Sequence, residues 1–246
     1  MRKVDFLIAG TQKGGTTALD AYLRTHPELC MANRKEVHFF DRDTHFQQGT
    51  VDYSAYHAFF SPTASQRLLG EATPIYMYWH HAFRRIWEYN PRMKIIVMLR
   101  NPVERAYSHW NMERDRKAEL LPFWEAIQRE PERCREALPD QHRVYSYVDR
   151  GFYTEQLRRL WRYFPPEQTL ILRHEALRET PQFVLDPIFE FLEVARQSIT
   201  TAIHTHARPY VTTMSEREKA YLQWIYEYEI RALERMLGWD CGDWRA

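Results

Sequence analysis

The chain has little cysteine, little glycine and no long apolar run. Its three cysteines, Cys30, Cys134 and Cys241, are odd in number and unpaired in spacing, which fits a reducing compartment better than a secreted disulfide scaffold. No apolar run reaches the roughly 18 residues that a membrane span needs. The first six residues hold no apolar stretch long enough for a signal peptide. These absences predict a cytoplasmic protein without a membrane span.

Neither sign of charge is in excess. The 246 residues contain 34 Lys and Arg against 33 Asp and Glu, which gives a formal net charge of +1. Because a nucleic-acid-binding surface usually shows as a basic excess, we expect no nucleic-acid partner. Hydrophobic residues make up 44% of the chain and charged residues 27%, as in a soluble globular protein. The length suits one sizeable domain, or two small domains at most, and we predict a single domain over residues 1–246.

Short apolar runs alternate with helical patterns. The predicted strands are residues 4–9, Leu68–Ala72, Lys94–Leu99 and 168–172, with 36–40 as a short strand or extended segment. The predicted helices are residues 16–25, one beginning at Asn101, 153–164, Pro181–Leu192 and one from the capping box at Ser215 to Gly238. This alternation predicts an α/β fold with a parallel sheet flanked by helices on both faces, whose ligands bind at the carboxyl ends of the strands.

A glycine-rich loop follows the first predicted strand, over residues 10–17 (GTQKGGTT). Such a loop presents backbone N–H groups and a helix N-terminus to one anion. Gly10 and Gly15 have Walker A spacing, but Thr16 stands where a P-loop NTPase has its lysine, and the loop lysine is Lys13. We interpret the loop as an anion site rather than a plain strand-to-helix turn.

Arg100 follows the clearest predicted strand, at the edge where ligands bind. Asn101 and Ser108 are seven residues apart and share a face of the helix that follows. An arginine with a serine hydroxyl near a helix start suits a second phosphate. Taken alone, the arginine could equally be a surface ion-pair partner.

Residues 35–41 (KEVHFFD) place a carboxylate near an imidazole. In an extended segment Glu36 and His38 project to one side, which would make a general-base pair. The alternative is an edge strand with a solvated polar face. Later in the chain, His204 and His206 lack a nearby Cys or carboxylate at ligand spacing, so we expect a loop over a nucleotide or a polar connector, and no metal.

Five segments together resemble the sulfotransferases that use 3′-phosphoadenosine 5′-phosphosulfate (PAPS). The similarity is closest to the heparan sulfate 3-O- and N-sulfotransferase branch and its bacterial relatives, and it extends from about residue 5 to 239. The segments are TQKGGTT at 11–17, KEVHFFD at 35–41, GEATPIY at 70–76, LRNPVERAYSHW at 99–110 and ARP at 207–209.

The resemblance implies a role for each matching residue. Glu36 would be the general base, with His38 and Asp41 in support. The 5′-phosphosulfate would lie on the loop residues, with Lys13 on the bridging oxygen or the sulfuryl group. Those residues are Gln12, Lys13, Gly14, Gly15, Thr16 and Thr17. Arg100 and Ser108 would hold the 3′-phosphate, and Arg208 would correspond to the arginine of the family's Lys-Gly-Arg loop.

Three departures bear on the acceptor. The Lys-Gly-Arg loop is His206-Ala207-Arg208 here, Ala72 stands where the heparan branch has a lysine, and the animal enzymes' disulfide hairpin has no counterpart between residues 194 and 204. These differences argue against a long sulfated polysaccharide as acceptor. Asp41, Tyr76 and Tyr78 are the candidate acceptor contacts. Tyr76, Tyr78 and Trp79 either line an acceptor cleft or belong to the core.

The sequence therefore predicts a PAPS-dependent sulfotransferase that needs no metal and releases 3′-phosphoadenosine 5′-phosphate (PAP). The acceptor would be a small molecule or glycan, such as a carbohydrate, glycolipid or secondary metabolite, that offers a hydroxyl, with an amine as the less favoured group. Two alternatives are a small-metabolite kinase that uses Mg-ATP and a non-catalytic nucleotide- or glycan-binding module. The misplaced lysine argues against the first, and the complete set of site residues argues against the second. The domain could also derive from a larger synthase.

Overall fold

The structure is a computed structural model that describes residues 2–47, 49–199 and 212–245. Five parallel strands form one sheet in the order β2-β3-β1-β4-β5. The strands are β1 (Phe6–Gly10), β2 (Leu29–Met31), β3 (Leu68–Ala72), β4 (Lys94–Leu99) and β5 (Thr169–Arg173). The predicted parallel α/β sheet is confirmed.

At least one helix follows each strand along the chain, with three helices between β4 and β5 and four in the described residues after β5. The helices are α1 (Thr16–Arg24), α2 (Ser54–His57), α3 (Ala82–Tyr89), α4 (Pro102–Asp115), α5 (Phe123–Glu136), α6 (Tyr153–Trp161), α7 (His174–Glu179), α8 (Pro181–Leu192), α9 (Glu216–Leu237) and α10 (Gly242–Arg245). Short 3-10 helices lie at Asp43–Phe46, Pro74–Met77, Asp149–Gly151 and Pro166–Gln168.

The chain divides into two compact units. The first comprises residues 1–99 and 159–206 and holds the whole sheet. One side of the sheet packs α1 and α8 against side chains such as Phe6, Ile8 and Ile96. Leu7 and Ile95 alternate with these residues and are also fully buried. Because side chains alternate along a strand, the sheet is covered on both faces.

The second unit comprises residues 100–158 and 207–246. Within its described part, α4 contacts both α5 and α9. Buried polar groups join α9 to the start of α6, since the Thr154 amide and hydroxyl donate to the Glu229 carboxylate at 2.7 and 2.9 Å. The Ser215 capping box that begins α9 is present, and Gly238 ends the helix in the left-handed region, so both predicted ends are confirmed.

The prediction of a short strand or extended segment over residues 36–40 is wrong, because the backbone there is irregular. Glu36 and His38 both have left-handed backbones, with φ of 60° and 58°. An extended strand requires negative φ throughout. The side-chain alternation that we used to place these two residues together is therefore wrong, although the side chains do meet.

Candidate functional site

The glycine-rich loop is fixed to the carboxyl edge of the sheet. The Thr11 amide donates to the Met98 carbonyl of β4 at 2.8 Å, and the Gly14 amide donates back to the Thr11 carbonyl at 2.9 Å. Lys13 and Gly15 have left-handed backbones, with φ of 69° and 87°. A short loop in which left-handed residues alternate with residues of negative φ directs its backbone N–H groups into one concave surface, which suits an anion.

The loop glycines leave room for no side chain. A Cβ atom at Gly14 would lie 2.6 Å from the Met98 carbonyl oxygen, a backbone atom that cannot move aside. A Cβ atom at Gly15 would collide with the imidazole of His174, the first residue of α7. His174 is not among the residues predicted from the sequence. Its position directly after β5, at the ligand-binding edge, is the signal that could have found it.

Helix α1 begins at Thr16, within the last residues of this loop. Gly15 occupies its N-cap and has no side chain to cap the first turn. The amides of Thr16 and Thr17 belong to that first turn, where helix N–H groups have no intrahelical acceptor. The loop backbone and this helix end suit an anion, and the binding of a nucleotide phosphate there stays a prediction.

The segment after β2 brings Glu36, His38 and Asp41 together. The Glu36 amide donates to the carbonyl of Ala72 at the end of β3, at 2.9 Å. His38 Nε2 lies 3.6 Å from Glu36 Oε2, and His38 Nδ1 lies 3.0 Å from Asp41 Oδ2. The three groups that the sequence predicted as base and support therefore form one cluster.

Opposite charges stabilise each other in this cluster. The His38 imidazole beside Glu36, with Lys35 as a further neighbour, lowers the pKa of that carboxyl to about 2 against the opposing effect of burial. Asp41, and then Glu36, raise the pKa of His38 to about 9 despite desolvation. Near neutral pH the cluster therefore holds an ionised Glu36 and a protonated His38.

The cluster and the glycine-rich loop share one edge of the sheet. The loop continues from β1, and the Glu36 amide is hydrogen-bonded to the Ala72 carbonyl of β3. Strands β1 and β3 are neighbours, with Ile8 paired to Ala72. The candidate anion loop and the candidate base thus follow the ends of adjacent parallel strands, where α/β proteins bind ligands.

The second predicted phosphate site belongs to the second unit. Asn101 caps α4 by accepting from the Val103 amide at 3.0 Å, which confirms the predicted helix start. The Arg100 guanidinium donates to Glu104 Oε2 at 2.8 and 3.2 Å, one turn along the same helix. Ser108 lies on α4 and is 6% exposed. The role of Arg100 and Ser108 in phosphate binding stays a prediction.

The predicted acceptor contacts lie inside the first unit. Asp41 and Tyr76 are fully buried, and Tyr78 is nearly so. The Tyr76 hydroxyl donates to Glu71, a carboxyl at the end of β3, at 3.0 Å. Burial raises the pKa of Glu71 to about 7 against the effect of three hydroxyl donors. Acceptor contact by these side chains stays a prediction, and their burial favours the alternative that the tyrosines are core residues.

Some predicted residues cannot be placed. His204, His206 and Arg208 lie outside the described residues. Within the described residues, no cluster of three or more His, Cys, Asp or Glu could hold a metal ion. The same part of the chain contains no helix that is long and apolar enough to cross a membrane.

A parallel sheet with a glycine-rich loop between its first strand and first helix is typical of nucleotide-binding α/β enzymes. The sulfotransferase domain model matches residues 3–226. The chain belongs to the sulfotransferase domain family.

Curated relatives point to one branch of that family. The human heparan sulfate glucosamine 3-O-sulfotransferase 6 is 34% identical over 190 residues, which cover 77% of this chain and 52% of the relative. The mouse bifunctional heparan sulfate N-deacetylase/N-sulfotransferase 3 is 34% identical over 200 residues, which cover 77% of this chain and 22% of the relative. The chain spans about half of the length of the 3-O-sulfotransferases that it matches.

A solved bacterial structure resembles the chain over its full length. The sulfotransferase from Alicyclobacillus acidocaldarius is 27% identical, with a TM-score of 0.86 over 100% of both chains. The sulfotransferase domain of the Synechococcus PCC 7002 olefin synthase, at 18% identity and a TM-score of 0.51 over 78% of this chain and 74% of its own, shares the fold.

The predicted cytoplasmic location is wrong. The membrane-associated sulfotransferase kil1 of Dictyostelium discoideum is 23% identical to this chain over 265 residues. The match covers 77% of this chain and 56% of the relative. The prediction rested on composition and on the absence of apolar runs. Those features describe the chain's own segments and do not determine the compartment in which a sulfotransferase works.

Proposed function

We propose that this protein is one sulfotransferase domain over residues 1–246 that transfers the sulfuryl group of PAPS to a hydroxyl of a carbohydrate, glycolipid or secondary metabolite. The observation that carries the proposal is the position of Glu36. The backbone amide of this ionised residue is bound to the end of β3, beside the strand from which the glycine-rich loop emerges. A base and an anion cradle on adjacent strand ends are the two parts that sulfuryl transfer needs.

Sulfotransferases of this family use PAPS, which supplies an activated sulfuryl group on its 5′-phosphate. The loop residues Gln12–Thr17 would hold that end through backbone N–H groups. Lys13 would place its ammonium near the bridging oxygen, where negative charge grows as the sulfur–oxygen bond breaks. The fit rests on the left-handed backbone of the loop and on glycines that leave no room for a side chain.

Glu36 would accept the proton of the acceptor hydroxyl as its oxygen forms the new bond to sulfur. The charges beside Glu36 keep it ionised but also make it a weak base. His38 would orient the carboxylate, and Asp41 would hold His38 in its protonated form. The base is thus ready at neutral pH without a metal ion.

The other end of the nucleotide would be bound by cations. Arg100 and Ser108 would hold the 3′-phosphate, with Arg208 as a further contact. The guanidinium of Arg100 already donates two N–H groups to one carboxylate oxygen of Glu104, a charge-assisted contact that a phosphate oxygen would also accept. A phosphate would have to compete with that carboxylate.

For the acceptor we propose a hydroxyl-bearing glycan, because a curated relative named above is a heparan sulfate glucosamine 3-O-sulfotransferase, with a hydroxyl-bearing small molecule as the alternative. The test is transfer of ³⁵S from labelled PAPS to a panel of heparosan oligosaccharides, simple glycosides and phenols. The proposal is supported if wild type forms a labelled product that Glu36→Gln does not form. No labelled product from the panel, together with no PAP binding, would overturn it.

A further inference from the structure

A buried phenol lies behind residues 36–41, the segment that carries the proposed base and is called the base segment below. The Tyr76 hydroxyl accepts a hydrogen bond from the Phe39 amide at 3.0 Å, and the Phe40 amide lies 3.4 Å from the same oxygen. These two amides stand between His38 and Asp41. The phenol therefore binds the backbone at the point that separates the two groups supporting Glu36.

The other side of the phenol is bound to a buried carboxyl. Tyr76 donates to Glu71 Oε1 at 3.0 Å, and Tyr56 donates to the same oxygen at 3.0 Å. Thr73 donates to Glu71 Oε2 at 2.9 Å. Because Tyr76 has a single proton and gives it to Glu71, its lone pairs are left for the Phe39 amide. Glu71 thus sets the direction in which the phenol can accept.

A second anchor holds the same part of the base segment. Arg85 on α3 donates to the Phe40 carbonyl at 2.9 Å and to Asp43 at 2.5 Å. Arg85 is itself 5% exposed. The amide side of the Phe39–Phe40 pair is thus bound to Tyr76 and its carbonyl side to Arg85, and both partners come from outside the segment.

The base segment needs such anchors because it forms no strand or helix of its own. Two of its residues, Glu36 and His38, have left-handed backbones that non-glycine residues adopt at a cost. A conformation of that kind persists only where the surrounding structure determines it. The ring contacts of Phe40 with Tyr76, Tyr56 and Tyr89, at 5.1 to 5.6 Å between centroids, cover the same site with apolar surface.

We propose that Tyr76, oriented by Glu71, is a positioning residue that holds His38 and Asp41 in the geometry that Glu36 requires. This inference rests on the proposed role of Glu36 as the base. It replaces acceptor contact, for this tyrosine, with an action through the backbone of the base segment. Tyr76 touches neither Glu36 nor His38 in the contacts described, so it is not a catalytic residue.

The chain offers a matched pair of variants. Tyr76→Phe and Tyr56→Phe each remove one buried hydroxyl that donates to the same oxygen of Glu71. Only the first also removes the acceptor of the Phe39 amide. We expect both variants to lower the melting temperature, since each leaves Glu71 with one donor fewer, and Tyr76→Phe to lower it further, because the buried Phe39 amide then also lacks an acceptor. If the hydrogen bond between Tyr76 and the base segment matters for catalysis, Tyr76→Phe will impair sulfuryl transfer and Tyr56→Phe will not.

The first readout needs neither nucleotide nor acceptor. The imidazole of His38 is titrated by NMR in the ligand-free protein, with His38→Gln used to assign its signal. Wild type and Tyr56→Phe are expected to keep the raised pKa of about 9 that Asp41 and Glu36 cause. In Tyr76→Phe the His38–Asp41 contact loosens, so the pKa of His38 moves down toward its ordinary value.

The second readout is kinetic. In the ³⁵S-PAPS assay we expect Tyr76→Phe to lower kcat by roughly tenfold to a hundredfold, as a small misplacement of a reacting group does. The dissociation constant for PAP should change less than about twofold, because the glycine-rich loop is untouched. Tyr56→Phe should keep both values. Equal losses in both variants, or an unchanged His38 titration in Tyr76→Phe, would overturn the inference.

The two experiments distinguish a wrong role for Tyr76 from a wrong proposal of sulfotransferase activity. If wild type transfers no label to any acceptor, the NMR comparison still decides whether Tyr76 positions the base segment. If Tyr76→Phe does not fold, amide hydrogen exchange on wild type takes its place. The Phe39 amide is then expected to be as protected as core strand amides, and exchange as fast as that of an exposed loop amide would overturn the inference.

Discussion

The ammonium of Lys35 lies 2.8 Å from Oε1 of Glu36, its neighbour in the sequence. Oε2 of the same carboxylate faces His38 at 3.6 Å. The proposed base is thus held between two cations, which keeps it ionised and weakens it as a proton acceptor. An acceptor hydroxyl has to approach a carboxylate that is already engaged.

Replacement of the carboxylate should separate chemistry from nucleotide binding. We expect Glu36→Gln to lower sulfuryl transfer by at least roughly a hundredfold, the usual contribution of a general base, while the affinity for PAP stays the same. Glu28→Gln is the matched control, because Glu28 is another partly buried carboxylate with a cationic partner, Arg67. Retained turnover in Glu36→Gln would remove Glu36 from the mechanism.

The charged cluster should make stability depend on pH. His38 has a raised pKa of about 9, so its contribution is complete below pH 6.5 and is lost as the pH rises through 9. Glu36 has a lowered pKa of about 2, so its contribution is present above pH 4.5 and is lost as the pH falls through 2. The cluster is therefore most stabilising between about pH 4.5 and 6.5.

Urea unfolding at pH 6 and pH 9 measures the alkaline part of this dependence. Because both side chains are about a third exposed, we expect wild type to lose only about 1 kcal/mol more than His38→Gln over that interval. An equal loss in both proteins would show that His38 carries no raised pKa.

The glycine-rich loop should tolerate no added methyl group at Gly14. A Cβ atom there would lie 2.6 Å from the Met98 carbonyl oxygen, so the loop must shift. We expect Gly14→Ala to weaken PAP binding at least roughly tenfold, measured by calorimetry. Gly242→Ala is the control, since its Cβ would meet only the end of the Asp240 side chain at 3.2 Å. Unchanged PAP affinity in Gly14→Ala would show that the loop does not hold the nucleotide.

The pair between Arg100 and Glu104 should compete with the 3′-phosphate. Glu104 is about half exposed, so the pair is worth little by itself. We expect Glu104→Gln to tighten PAP binding by about twofold to fivefold at low salt. Glu227→Gln, which breaks a comparable pair with Arg231 on α9, should have no effect. Weaker PAP binding in Glu104→Gln would indicate that Glu104 orients Arg100 instead of competing for it.

The sequence predicted the central strands well and an edge strand not at all. Lys94–Leu99 was placed to the residue, because a continuous β-branched run has few other interpretations. Leu29–Met31 was missed, since three residues that pair only with β3 carry no periodic signal. Short segments of that kind are determined by their neighbours in the fold.

The candidate site shows the same division. Lys13, Glu36 and His38 were found because their motifs carry a chemical reason. The left-handed backbone that joins Glu36 to His38 was not, because the Glu36 amide is held by Ala72, far along the chain. His174 lies against Gly15 only through the parallel sheet, so no local pattern could pair them.

Calorimetric titration of the protein with PAP, beside ADP with magnesium, tests the central claim most directly. A sulfotransferase that reads the 3′-phosphate should bind PAP at least roughly tenfold more tightly than Mg-ADP. Binding of Mg-ADP as tight as that of PAP would contradict the account, because the glycine-rich loop would then serve a nucleoside diphosphate or triphosphate as in a kinase.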